Sequence, residues 1–507
     1  MRKLILLFAL TLSIGLAHAQ GNRELNTLPT PESNQIFYRS SDHQKITPEM
    51  GWWEDATYND ANSVYYQEAD YGVVSFDGDI TTIGDWAFAN CTTLTAVVWP
   101  RMVTSIGYRA FQDCTNLNSI NIQEGVTDIG QAAFYGCTGI TELTIPSTVT
   151  NIGKFAFNGC TSLTKLTVKA GSIGEYAFLN CTNLSSIDLQ EGLKSIGAYA
   201  FNGCAGMAEL TIPSTVTSIG IEAFNGCTSL TKLTIKAGSI GNNAFNGCSS
   251  LSSIDIQEGV KSIGNYAFNG CAGMAELTIP STVTSIGTGA FSGWQNLTKL
   301  TVTKGSIGSG AFQNCTNLSS IDLQEGVTSI LGGAFSNCTS LAELTIPSTV
   351  TNIGNNAFQD CTSLTKITIK AESIGSFAFK NCSKLNSINI QEGVRNIEND
   401  AFSGCTNVTS VTFAGYVALN ARSFTSIGTI ESPVNLKIPS AWMVSDKPVD
   451  SATPWHGGYF NCEYTDPVKE FLGEMGEPCE DCPSIEVTKG DKTVKLYNPE
   501  KVEFKKE

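Results

Sequence analysis

The sequence predicts a solenoid of the α/β type: stacked coils with a parallel β-sheet on one face, short helical turns on another, and a cap at each end. Three observations predict it. A pattern of the form SIGxxAFxxCxxLxxLxI, clean at Ser218–Ile235, returns fifteen times between Ile83 and Cys405. Its phenylalanine slot is filled in every copy, and its cysteine slot in fourteen of fifteen, with Trp294 in the other. A chain of 507 residues would ordinarily make about three globular domains. Units of about 20–30 residues, however, bury no core alone and must stack.

Residues 1–19 open with Arg2 and Lys3, continue as the apolar run Leu4–Leu16 and close on Ala17-His18-Ala19. That is the form of a secretory signal cut before Gln20. No cysteine follows the site, which argues against a lipid anchor, and no later run is apolar enough to span a bilayer. Residues 20–50 are polar, lack periodicity and read as a flexible leader. Residues 51–76 hold Trp52, Trp53, Tyr58, Tyr65, Tyr66, Tyr71 and Phe76. They suit an aromatic cap and first strand over the bare face of the first coil, with a ligand-binding patch as the alternative.

The array occupies 77–425. Cys137, Cys204, Cys271, Cys338 and Cys405 lie 67 residues apart, so three repeat variants of 23, 21 and 23 residues alternate. One carries Ser186–Gly192, the next Leu210–Gly220, the third Leu233–Gly241. In the last, Leu230, Leu233 and Ile235 point inward and alternation around Leu233–Ile235 makes a short strand. Strands of successive coils pair at about 4.8 Å, giving one parallel sheet roughly 70 Å long. Val-Thr-Ser-Ile re-enters as a second extended piece, and Asn242–Cys248 is short enough for one helical turn. Each phenylalanine contributes on the order of 2–3 kcal/mol by burial. Glycine follows the isoleucine in thirteen copies, which a left-handed turn would explain, and Leu331 and Glu398 then mark local irregularities.

Residues 406–425 form a worn further coil with Val408, Val411, Phe413 and Phe424. A C-terminal cap follows at 426–465, with an edge strand near Asn435–Trp442 and an aromatic closing segment, Trp455–Phe460. Residues 466–507 form a small β appendage or a tail, with strand signals at Ile485–Val487, Thr493–Leu496 and Lys501–Phe504.

The repeat resembles the bacterial leucine-rich repeats of the Treponema pallidum and Bacteroides surface protein A-like type over roughly residues 73–425. The resemblance implies a right-handed leucine-rich coil. It further implies a surface or secreted adhesin of a host-associated bacterium that binds extracellular-matrix or plasma proteins, or other cell-surface proteins. Three positions after the last strand residue stand Gly192, Thr215 or Gly238 in place of the general pattern's asparagine, so no asparagine ladder is expected.

Little in the chain suggests catalysis. Seventeen cysteines in an exported protein would suggest disulfides, but a column that tolerates tryptophan reads as a buried apolar slot of reduced thiols. Cys479-Glu-Asp-Cys482 lacks a βαβ setting for redox work and a second pair for zinc; a structural disulfide of one of them with Cys462 is the plainer reading. Once the signal segment is cut away only His43, in the leader, and His456, in the cap, remain, too few for a repeated metal site or a Ser-His-Asp triad. No catalytic residue, cofactor or metal ligand is therefore assigned. Without Arg2 and Lys3 the chain keeps 29 cationic residues against 47 acidic ones, a net charge of −18, which disfavours nucleic acid and anionic lipid.

Function is sought on the outward strand positions. Glu209, Lys232, Glu276, Lys299, Glu343 and Lys366 alternate on neighbouring strands, with Asp188, Asp255 and Asp322 at the acidic slot of every third coil. A self-neutralising solvated sheet is the plain reading. A polyvalent docking surface for a host protein or polymer is the functional one. A structural spacer and a glycan-capture protein of the periplasm or outer surface are its rivals.

Overall fold

The structure, a computed structural model, describes residues 28–48, 57–169, 171–415, 417–419 and 422–427, together with the strands Val434–Pro439, Phe460–Thr465, Ser484–Lys489 and Lys492–Tyr497. The expected signal segment, Trp52, Trp53, Trp442, Trp455, Cys479, Cys482 and the side chain of Cys462 lie outside the described residues. The chain divides into two units, residues 1–207 and 208–507.

The first unit begins with three antiparallel strands, β1 (Gln35–Ser40), β2 (Tyr58–Tyr66) and β3 (Tyr71–Phe76). They pair in the order β2-β3-β1, and β1 also pairs antiparallel with Leu94–Val98 of the first coil. The flexible leader expected over 20–50 is thus corrected at 35–40. Ile36 and Tyr38 are buried outright, because β1 is the middle strand joining the cap to the first coil.

Within each unit the coils share one core column. In the first, Phe88, Phe111, Phe134, Phe157, Phe178 and Phe201 are fully buried and stack at centroid separations of 5.0–5.2 Å. In the second, the stack from Phe224 to Phe402 holds 5.2–5.3 Å and ends on Phe424, 5.5 Å from Phe402. Near-parallel rings at this spacing are offset, the favourable arrangement.

The helical turns are a correction: the described residues contain no helix. In the first coil Trp86, Phe88 and Asn90 donate their N–H groups to Tyr108, Ala110 and Gln112 of the next coil, at 2.7–2.9 Å. A helix needs those donors for its own carbonyls. Spending them on the neighbouring coil leaves a staircase of tight turns.

The repeat glycine is a second correction. Gly130, Gly153 and Gly264 are not left-handed; a Cβ on them would lie 2.5–2.7 Å from the backbone of the preceding coil. Close approach of coils, not turn handedness, demands glycine. The left-handed residues stand two positions later, from Trp86 (φ 58) to Asp400 (φ 58), and again just before the cysteine, where only Asn, Asp or Gly occurs. Leu331 and Glu398 cause no break, since their N–H groups still reach Ile307 and Ile374 at 2.9 Å.

The strands bring a third correction. The Ser-Ile pieces form the long parallel ladders: Thr82, Ser105, Asp128, Asn151, Ser172 and Ser195 are in register in the first unit, and Ser218 through Asn396 in the second. The Leu-Thr-Ile strands, expected to make one sheet, are divided into short ones. Glu142–Ile145, Lys165–Val168 and Ser186–Leu189 form one; Glu209–Ile212, Lys232–Ile235 and Ser253–Ile256 another; Glu276–Ile279, Lys299–Val302 and Ser320–Leu323 a third. A longer sheet runs from Glu343–Ile346 to Phe460–Thr465.

Proline explains the divisions. In other coils the residue after the strand donates to the preceding coil, as Gln257 does to Ile235 at 2.9 Å and Lys370 to Ile346 at 3.2 Å. Each of the three short sheets, and the longer one, begins at a coil where that residue is proline (Pro146, Pro213, Pro280 and Pro347 in turn), which has no N–H. Where Ala414 stands instead, its N–H bonds Ile390 at 2.8 Å and the sheet runs on.

At the end, Val411, Phe413 and Phe424 are buried as the apolar spacing predicts. Phe460–Thr465 adds in parallel beside Val434–Pro439, and Ser484–Lys489 and Lys492–Tyr497 pair as an antiparallel hairpin.

Candidate functional site on the strand face

Every three-stranded sheet presents the same outward grid. Glu209 lies across from Lys232 and Lys232 from Ser253; in the next row Thr211, Thr234 and Asp255 are in register. The following sheet repeats this with Glu276, Lys299 and Ser320 above Thr278, Thr301 and Asp322. In the first unit Glu142, Lys165 and Ser186 stand above Thr144, Thr167 and Asp188.

The charges are exposed and locally neutralised. Lys232 Nζ lies 3.6 Å from Glu209, Lys299 Nζ 3.5 Å from Glu276 and Lys165 Nζ 3.8 Å from Glu142. The side chains of Lys232 and Glu209 remain 59% and 69% exposed, so each pair contributes only a few tenths of a kcal/mol. Glu343 and Lys366 share the register without closing to ion-pair distance, and their third strand carries Asn389 in the acidic slot. The acids are held by glutamine: Gln190 Nε2 donates to Asp188 at 2.9 Å, Gln257 to Asp255 at 2.7 Å and Gln324 to Asp322 at 3.3 Å. The nine predicted face residues therefore gather by sheet. Glu209, Lys232 and Asp255 form one patch and Glu276, Lys299 and Asp322 the next, with the proline coil between them.

Side-chain bonds tie the loops across that division. Glu258 accepts from the N–H and the Oγ of Ser281, both at 3.2 Å, and Gly259 N–H donates to Thr282 Oγ1 at 3.0 Å. Glu325 with Ser348 and Gly326 with Thr349 repeat the arrangement. Desolvation, the largest single influence on Glu258 and Glu325, raises their pKa. The bonds from serine and threonine outweigh it and hold both carboxyls below their ordinary range.

The cysteine column is structural. Its fourteen members are thiols, buried except for the partly exposed Cys91. Within each unit thiols of the column donate to phenylalanine carbonyls of the preceding coil, for example Cys114 to Phe88 at 3.0 Å and Cys271 to Phe245 at 3.3 Å. Trp294 fits because its Nε1–H makes the same bond, to Phe268 at 2.9 Å. Burial pushes the Cys315 and Cys361 thiols up to about 12, far from a nucleophilic thiolate. Among the described residues no three His, Cys, Asp or Glu side chains gather as a metal site, and no helix is long and apolar enough to cross a membrane.

A second polar edge escaped the sequence reading. In the two slots between the repeat glycine and Ala-Phe, Asp85, Asn242, Asn265 and Asn355 accept the N–H of Tyr108, Asn265, Thr288 and Ser376 at 2.6–3.0 Å. A partial Asn/Asp ladder thus exists, in a different column from the position three residues after the strand. In the first unit the same slots hold large groups. Phe155, Tyr176 and Tyr199 stack at 4.8 Å, with Lys154 over the first two rings and paired to Glu175 at 3.0 Å. Trp86, Tyr108 and Arg109 cluster on the first two coils. The sequence signal was the occurrence of Asp-Trp, Tyr-Arg, Lys-Phe and Glu-Tyr in these early copies, although Tyr266 and Phe377 recur in later ones.

Coils this regular define a repeat solenoid. The chain belongs to the BspA type leucine rich repeat family, which it matches in six copies over residues 61–172, 166–239, 238–365 and 305–431. No curated protein matches it. Among solved structures it is similar to a leucine-rich repeat protein of Bacteroides ovatus, with 24% identity and a TM-score of 0.50, covering 72% of this chain and 98% of that one. That likeness shows the fold. It is also similar to a leucine-rich repeat protein of Eubacterium ventriosum, at 27% identity and TM-score 0.32 over 52% of this chain and 83% of that one. A leucine rich cell surface protein of Faecalibacterium prausnitzii is similar at 21% identity and a TM-score of 0.32, over 84% of this chain and 97% of that one.

Proposed function

We propose that the protein is an exported binding scaffold, acting as an adhesin on the cell surface or in secreted form, whose strand face docks host extracellular-matrix, plasma or other cell-surface proteins. The observation that carries this reading is the recurrence of one exposed grid, Glu-Lys-Ser above Thr-Thr-Asp, in successive sheets. Identical patches bind a repeating or flexible partner by avidity, each contact being weak. The segment Leu4–Leu16 before Ala17-His18-Ala19 supports export. The ion pairs already closed on the face favour a second reading, a spacer whose sheet only neutralises itself.

Binding of the full chain to immobilised fibronectin, fibrinogen and mucin, with rising salt, tests the choice. Saturable, salt-sensitive retention that disappears when Lys232, Lys299 and Lys366 are changed to Glu supports docking. Retention that survives the triple change, or no retention at all, favours the spacer.

A further inference from the structure

We propose a second binding site on the turn edge of the first unit, where Trp86, Tyr108 and Arg109 form a clamp for a carboxylate of an acidic protein segment. The Arg109 guanidinium carbon lies 4.6 Å from the Trp86 ring centroid and 4.9 Å from that of Tyr108, whose rings meet edge to face at 5.5 Å. Two aromatic faces fix the fork of an arginine before any anion arrives.

Among the described residues nothing uses that fork. Among the described residues the Arg109 side chain has no hydrogen bond and no carboxylate within ion-pair distance, and its buried Nε–H lacks an acceptor. The Trp86 indole N–H and the Tyr108 hydroxyl are likewise without partners among the described residues, and all three side chains are half-buried. The nearest acid in sequence, Asp85, is committed to the backbone N–H of Tyr108 at 2.6 Å. By contrast Lys154, over the next rings, is already paired with Glu175. Three donor groups with no facing acceptor, one of them a cation, are complementary to an anion.

A single guanidinium suits the single charge of a carboxylate better than the near-double charge of a phosphate, which selects an acidic protein segment over phosphorylated or nucleic-acid partners. Trp, Tyr and Arg are also the residues that dominate protein interfaces.

The test is titration calorimetry of the full chain with a capped octapeptide carrying three glutamates among glycine and leucine, and with its glutamine and phosphoserine counterparts. The glutamate peptide is expected to bind about tenfold or more tighter than the glutamine peptide, and less tightly as salt rises. Arg109→Gln should erase the difference, and Arg109→Lys, which keeps the charge but not the stacked fork, should lose most of it. Lys232→Glu on the strand face should leave it intact, which separates this site from the docking proposed there. Equal binding of glutamate and glutamine peptides, no binding of either, tighter binding of the phosphoserine peptide, or an Arg109→Gln protein that binds like the parent would each overturn the assignment.

Discussion

Replacing Trp294 by cysteine restores the repeat at the one position where it is broken, and its cost can be worked from the contacts. The indole is fully buried, edge-on to Phe291 at 4.9 Å and 86° and to Phe268 at 6.3 Å and 78°. Its bulk reaches the preceding coil, where a Cβ on Gly273 would lie 2.9 Å from the ring. There Met274 is half-exposed, although Met207, in the same Cys-Ala-Gly-Met run, is fully buried. Tryptophan therefore fills the space of a cysteine and of a methionine. Emptying a core of a large aromatic costs about 3–5 kcal/mol, and reburial of Met274 returns about 1.5–3 kcal/mol. Trp294→Cys should then lose roughly 1–3 kcal/mol, and Trp294→Ala about 1 kcal/mol more, because it also strands the Phe268 carbonyl. Urea unfolding reads both. The decisive comparison is Met274→Ala, expected to cost little in the parent and about 2–4 kcal/mol in the Trp294→Cys background. An equal cost in both backgrounds would refute the exchange of space.

The glycine column makes a paired prediction. Gly264→Ala puts a Cβ 2.5 Å from the backbone of Gly241 and should destabilise by about 2 kcal/mol or more, whereas Gly333→Ala, with nothing within 4 Å of its Cβ but a φ of +63, should cost only about 1 kcal/mol in denaturant titrations. Acid should loosen the loop ties at the proline coils. The folded-state pKa of Glu258 and Glu325 lies below the unfolded one, so their contribution is complete above about pH 4.3 and disappears as pH falls through the folded value. Melting temperatures from pH 7 to pH 3 should fall less steeply for the double variant Glu258→Gln, Glu325→Gln than for the parent.

What was legible in the sequence is what the period repeats. Phe224, Cys248 and Leu251 recur at fixed spacing, and a position that recurs once per coil must face the same neighbours, so burial could be assigned from the pattern alone. The strand-face acids and lysines were placed correctly in register for the same reason. Their grouping was not, because it depends on a bond that Pro280 cannot make to a strand one coil away. The helical turn failed through the same blindness: Phe88 and Asn90 look helical locally, but their N–H groups go to Ala110 and Gln112. The strand at Gln35–Ser40 stands outside the repeat, and only its short apolar run Ile36-Phe37-Tyr38 signalled it. The left-handed slot before each cysteine could have been read from its Asn, Asp and Gly. That at Phe155 and Tyr176 could not, since aromatic residues seldom adopt it.

The central claim is that the divided strand face, and not the Ser-Ile ladder, is what a partner touches. Thr211, Thr278 and Thr345 occupy the outward slot of three sheets, and Ser239, Ser306 and Ser329 lie on the other ladder. Changing each trio to arginine and measuring saturation binding of the intact chain to immobilised fibrinogen and fibronectin compares the two faces directly. The account predicts that the threonine trio abolishes retention and the serine trio leaves it within about twofold of the parent; retention lost only with the serine trio, or with neither, would contradict it.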